Sequence, residues 1–155
     1  MVLEWASASE APRFVTLITN FVEQIKDLGP LGEKEGLSEA SLRLRLEAAR
    51  VVTGGMRFRA ALGNLARELK KAGDYSPEGI ARRVEEKILP LLKKEILENE
   101  LKALLEKGPI SVDALAEKTG FYPGEIASLL QVFSKRGQVV QEGDLWQPKA
   151  RGNNR

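Results

Sequence analysis

Along most of the chain, apolar residues recur at the three- and four-residue spacing of one helix face. Phe14, Leu17, Ile18, Phe21, Val22, Ile25 and Leu28 form such a stripe, so 11–28 is predicted to be an amphipathic helix. Gly29-Pro30 ends it, and a loop follows. Leu62, Leu65 and Leu69 predict a second helix over 60–72, with Arg67, Lys70 and Lys71 on its other side and Gly73 as its stop. Ser76-Pro77-Glu78 has the order of an N-cap, a first-turn proline and a first-turn acid. It opens a helix through Ile80, Val84 and Ile88 towards Leu97. Pro90 is expected to kink or split that helix, because proline lacks a backbone donor and clashes with the preceding turn.

Residues 38–60 depart from the helical spacing. Leu42-Arg43-Leu44-Arg45-Leu46 alternates with period two, and Met56-Arg57-Phe58-Arg59 does so again beyond Thr53-Gly54-Gly55. As a β-hairpin, this segment would pair Thr53 with Met56, Val51 with Phe58 and Arg50 with Arg59. One face would be apolar, and the other would carry arginines once a bulge near Ala48-Ala49 restored the parity. The same residues also read as a helix capped by Ser38, with Leu42, Leu46 and Ala49 as its stripe and the glycines as its end. Leu, Arg, Glu and Ala all favour that helix. The hairpin is the reading carried forward, with the helix open beside it.

Beyond Leu97 the elements shorten. Leu97, Leu101, Leu104 and Leu105 predict a helix that stops at Lys107-Gly108, and Pro109-Ile110 is extended. Ser111 caps a short helix to Thr119, and Pro123 opens another to Arg136 with Ile126, Leu129, Leu130 and Phe133 inward. Gln138 to Gln141 and Leu145 to Gln147 flank Glu142-Gly143-Asp144 as a hairpin. This order, carried by GPISVDALAEKTGFYPGEIASLLQVFSKRGQVVQEGDLW, resembles the winged-helix superfamily over about residues 97–148. No subfamily motif accompanies it, and the resemblance does not extend to residues 1–96. The expected fold class is α+β. A mainly helical N-terminal domain with a β-hairpin (1–96) precedes a C-terminal winged helix (97–148) and a basic flexible tail (149–155).

The resemblance implies that 123–136 would read a DNA major groove and 138–147 would form the wing. Contact candidates there are Ser128, Gln131 and Lys135, joined by Lys149 and Arg151 of the tail. Glu125 and the acidic wing tip oppose that role, since phosphate contacts supply most non-specific affinity. Winged helices also mediate protein contacts and dimerisation, which is the competing implication.

Charge changes the picture further. Residues 38–83 hold 10 basic and 5 acidic side chains, net +5, against net −3 for 1–37 and for 84–148. Arg43, Arg45, Arg50, Arg57 and Arg59 on one hairpin face would make a groove for a nucleic-acid backbone, extended by Arg67, Lys70 and Lys71. The same cluster also suits a plain solvated face. Few aromatics stand nearby for stacking against single strands: Phe58, Tyr75 and Trp5.

Chemistry is scarce. The chain has no Cys and no His, which removes thiol nucleophiles, disulfides, imidazole bases and the usual zinc ligands. Thr53-Gly54-Gly55 lacks the spacing of a phosphate loop and reads as a turn. Glu85, Glu86, Glu95, Glu98 and Glu100 read as helix-surface charges rather than a metal site. Many Lys, Arg and Glu without Cys is a thermophile-like composition. No run approaches the roughly 18 apolar residues that span a membrane, and the N-terminus has no signal-peptide pattern. The expectation is a cytoplasmic, non-enzymatic nucleic-acid-binding protein without metal or cofactor. DNA stands ahead of RNA, and single strands narrowly ahead of duplex. A duplex-binding regulator and a protein-assembly module without nucleic acid are the alternatives, and a homodimer or protein partner would dock through the winged helix.

Overall fold

The computed structural model describes residues 10–33 and 36–149. The chain divides into two compact units, Met1–Glu39 and Ala40–Arg155. The sequence-based line at 96/97 falls inside the second unit, in the middle of a continuous helix.

The first unit is built on helix α1, Ala11–Leu28. A proline in its first turn needs no intrahelical donor there, and the Gly29 N–H closes the last turn onto the Ile25 carbonyl at 3.1 Å. The predicted stripe forms, but none of its residues is buried. Phe14 is 54% exposed, Phe21 48% and Leu28 65%. Fully burying one such side chain is worth about 1.5–3 kcal/mol, so the six half-open ones leave roughly 5–9 kcal/mol of burial unrealised.

The second unit starts with two helices where the hairpin was expected. Helix α2 spans Glu39–Gly54 and helix α3 spans Met56–Ala72, with an extended Gly55 between them. The β-hairpin is therefore corrected: Thr53, Val51 and Arg50 pair with nothing across a turn. Helix propensity summed over Leu, Arg, Glu and Ala outweighs a five-residue alternation. The inward face of α2 runs through Ser41, Leu44, Arg45, Ala48 and Val52, a helical spacing. Leu46, placed inward by both sequence readings, is half exposed.

Helix α4, Pro77–Arg83, begins as predicted, with the Ser76 hydroxyl accepting from the Gly79 N–H at 3.1 Å. A π-helical turn, Val84–Ile88, leads into helix α5, Leu89–Leu105. The expected effect of Pro90 is thus a single widened turn just before it, which accommodates the missing donor and the ring without breaking the rod.

Strand β1, Ile110–Ser111, follows, then helices α6, Val112–Thr119, and α7, Pro123–Lys135. Strands β2, Val139–Glu142, and β3, Leu145–Pro148, close the unit as a hairpin. Gly143, at φ +60°, supplies the left-handed residue of its tight turn. The sheet is antiparallel in the order β1-β3-β2, with Ile110 opposite Trp146 and Gln141 opposite Trp146 on the other edge. One core joins these pieces. Leu97, Leu101, Leu104 and Leu105 of α5 pack with Leu115, Ile126, Leu130, Phe133, Val139 and Trp146, and Leu44 of α2 leans on the same cluster. The fold class is α+β, mostly helical with this small sheet. Among the described residues, no helix is long and apolar enough to cross a membrane.

Candidate nucleic-acid interface

The arginines singled out from the sequence do not share a face as a sheet would have arranged them. Arg45 turns inward. Its Nε donates to Glu100 Oε1 at 2.9 Å, its Nη2 donates to the Thr119 carbonyl, and its guanidinium lies 5.1 Å from the centre of the Phe121 ring. Arg57 pairs with Glu95 at 2.6 Å. Arg50 is held by Glu47 one turn away at 3.0 Å, and the hydrogen bond from Arg50 lowers the Glu47 pKa. Arg59 donates to the Gly54 carbonyl at 2.6 Å. Arg67 bonds the Gly63 carbonyl and the Asn64 side chain. Arg43 is exposed on α2. Lys70 and Lys71 are exposed in the last turn of α3, where cations complement the helix dipole. Five arginines, Arg45, Arg50, Arg57, Arg59 and Arg67, thus have partners in their own region or in α5 and α6, and the single arginine-rich platform is not formed.

Glu100 corrects a second expectation, because it is a core residue and not a surface charge. Burial pushes its carboxyl above the usual carboxylate range, and the hydrogen bond and charge of Arg45 offset this only in part. Its Oε2 has no hydrogen-bond partner. Glu98 is buried as well, and Glu95 faces Arg57. No group of acids, Cys or His that could hold a metal occurs among the described residues.

The exposed side of α7 is differently made. Gly124, Ser128, Gln131 and Lys135 are spaced by four, three and four residues, so they share one stripe, and all are exposed. The stripe is uncharged until its last turn. Tyr122, just before the helix, is 74% exposed. Its ring lies so close to Gly124 that a Cβ there would sit 2.9 Å from the Tyr122 Cε1, so the glycine is what lets the ring fold over the helix start.

A groove of about 1110 Å³ runs between the first half of α5 and the start of α7. Leu89, Pro90, Ile96, Leu97, Phe121 and Leu129 are its apolar lining, and Arg45 lines it as well. Lys93, Lys94, Tyr122, Gly124 and Ser128 also line it, and Glu85 and Glu125 are the anions present. Both lysines are exposed and have no ion pair or hydrogen bond among the described residues. Lys135 and Lys149 are likewise exposed, and the Lys149 backbone N–H is fixed to the Gln138 carbonyl at 2.9 Å, beyond the end of α7. Arg151 lies outside the described residues.

The structure therefore brings Ser128, Gln131 and Lys135 together and adds Lys93, Lys94 and Tyr122, which sequence reasoning passed over. Lys93-Lys94 was a visible doublet, but its nearness to α7 depends on how α5 packs. The β2–β3 turn is acidic as expected, with Glu142 and Asp144 beside Gly143. Comparison of the chain with protein-family models, with curated proteins and with solved structures gives no match.

Proposed function

We propose that this protein binds duplex DNA, without catalysis, through residues 97–148 folded as a winged helix on an α5 that reaches back to Leu89. The observation that carries this reading is the neutral polar stripe Gly124, Ser128, Gln131 on α7, whose first two residues line a groove together with Lys93 and Lys94. The helix–strand–helix–helix–hairpin order and the sheet order β1-β3-β2 support the winged-helix reading. Helix α7 has 13 residues and is about 20 Å long at 1.5 Å per residue. A B-form major groove, roughly 12 Å wide, admits such a helix, whereas the deep, narrow groove of A-form RNA does not. Lys93 and Lys94 at one end of α7, with Lys135 and Lys149 at the other, contact phosphates and set the register. Ser128 and Gln131 reach base edges between them. Single strands lose their place as first ligand, because the arginine face that favoured them is spent on internal contacts.

The acidic wing tip favours a second reading, in which this module docks a basic protein surface. Fluorescence anisotropy with the full chain separates the two. Labelled duplex is expected to bind more tightly than either of its single strands, with affinity falling steeply as salt rises. The pair Ser128→Glu and Gln131→Glu should abolish duplex binding while leaving the helical signal intact. Binding that survives these substitutions, or no binding to either strand form at low salt, would contradict the proposal.

A further inference from the structure

We infer that Arg45 of α2 is a positioning residue for α7: it fixes the turn between α6 and α7, and with it the direction in which Ser128 and Gln131 are presented. This rests on α7 being the helix that meets duplex DNA. Arg45 itself lies outside the segment 97–148 and contacts no phosphate in that reading.

Only Gly120, Phe121 and Tyr122 separate Thr119, the last residue of α6, from Pro123, the first of α7. A link so short passes its own geometry directly to the helix that follows. Arg45 holds this link at two points. Its Nη2 donates to the Thr119 carbonyl, one of those that a helix C-terminus leaves without an internal partner. Its guanidinium lies 5.1 Å from the centre of the Phe121 ring, within cation–π range. Thr119 is fully buried, and its hydroxyl donates to the Leu115 carbonyl at 2.8 Å and accepts from the Phe121 N–H at 3.4 Å. The two held residues are thus tied to each other as well. Next in the chain, the Tyr122 carbonyl accepts from the Glu125 and Ile126 N–H groups at 3.0 and 3.3 Å and starts α7.

Arg45 is in turn held from the core. Its Nε donates at 2.9 Å to Glu100, which is fully buried on α5. A guanidinium is a rigid planar fork, so the bond to Glu100 dictates where the donor to Thr119 stands. A lysine is a point charge on a flexible stem and lacks that geometry. As a stabilising contact the pair gains little, because burying the Glu100 charge costs much of what its attraction to Arg45 returns. Glu100 Oε2 has no partner at all. An apolar pair of similar volume would cost less there but could not bond the Thr119 carbonyl. Fixed geometry is what the charged pair supplies.

Two variants of the full chain test this. Arg45→Met with Glu100→Met removes both charges together, and Arg45→Lys keeps a cation beside Glu100 while removing the fork. Hydrogen exchange followed by NMR reads the turn residue by residue. In both variants the Gly120, Phe121 and Glu125 amides are expected to lose protection, while those of Leu101 and Leu130 in the core keep it. Duplex affinity should fall about fivefold or more, the usual scale of a coupling between sites, with its slope against salt unchanged. Full wild-type protection and affinity in Arg45→Lys would overturn the proposal, because Arg45 would then be only a counter-charge for Glu100. So would a loosened turn with wild-type affinity, or protection lost equally in turn and core. Should the methionine pair fail to fold, the lysine variant decides alone. No duplex binding by the wild type would overturn the reading of α7 and this role with it. That failure is told apart by the exchange data, which decide on their own whether Arg45 fixes the turn.

Discussion

Helices α2 and α3 hold half of the arginines, yet Arg45, Arg50, Arg57 and Arg59 all meet a carboxylate or a carbonyl within hydrogen-bond distance. Helices α5 and α7 lie in a net acidic stretch, yet Lys93, Lys94 and Lys135 stand exposed without partners among the described residues. The region richer in positive charge thus has much of it engaged internally, while Lys70 and Lys71 stay exposed at the end of α3. What a phosphate meets is the charge left over after internal pairing, and a charge count along the sequence does not report that remainder.

The sharpest way to break this comparison is to unpair Arg45. Arg45→Met leaves Glu100 charged in the core with no partner, and we expect a loss of about 3 kcal/mol in denaturant unfolding at neutral pH. Glu100 already has a raised folded-state pKa. Its contribution is most favourable below its unfolded pKa and declines as pH rises through the folded value. Removing Arg45 widens that gap, so the deficit should be largest near neutrality and shrink as pH falls through the carboxylate range. Arg45→Met with Glu100→Met should recover most of the stability, because an apolar pair replaces an ion pair that gains little net energy. A single Arg45→Met variant as stable as the wild type at neutral pH would mean that Arg45 is a free surface cation after all.

Next in size is a local control. Ser111 caps α6, its hydroxyl accepting from the Ala114 N–H at 3.2 Å. Ser111→Ala should cost about 1 kcal/mol and leave ligand binding unchanged apart from that. Thermal unfolding monitored by circular dichroism reads this directly. A marked loss of DNA binding at a temperature where the variant is folded would tie α6, rather than α7, to the interface.

The smallest effect is expected at Arg50. It pairs with Glu47 on an exposed helix surface, so Arg50→Ala should leave the unfolding midpoint unchanged. It should also leave duplex affinity unchanged, within error of the anisotropy titration. A clear drop in affinity would return the central arginines to the interface and erase the contrast between the two regions.

Much of the fold was legible in the sequence because local rules and packing agreed. The stripe of α1, the Ser76 and Ser111 caps and the inward set Ile126, Leu130, Phe133 all appear where periodicity placed them. Residues 38–60 were misleading because two local signals disagreed. Leu-Arg alternation has the period of a strand, while each residue taken singly prefers helix. The deciding contact, Leu44 and Arg45 of α2 against the C-terminal core, is long-range and invisible to local pattern. Glu100 was hidden for the same reason, since one acid among five on helical segments gives no sign of which turn faces the core. Of the candidate interface, Ser128, Gln131 and Lys135 could be named from helical spacing alone. Lys93, Lys94 and Tyr122 could not, because α5 and α7 meet only in three dimensions.

The contrast between paired arginines and open lysines is tested most directly by the salt dependence of duplex binding in the full chain and two variants. Each phosphate contact contributes about 0.9 to the slope of log affinity against log salt. Lys93→Ala with Lys94→Ala should therefore flatten the slope by about 2 and weaken binding at every salt concentration. Arg50→Ala, Arg57→Ala and Arg59→Ala together should leave the slope where it was. The reverse outcome, a flattened slope in the arginine variant and an unchanged one in the lysine variant, would contradict the account.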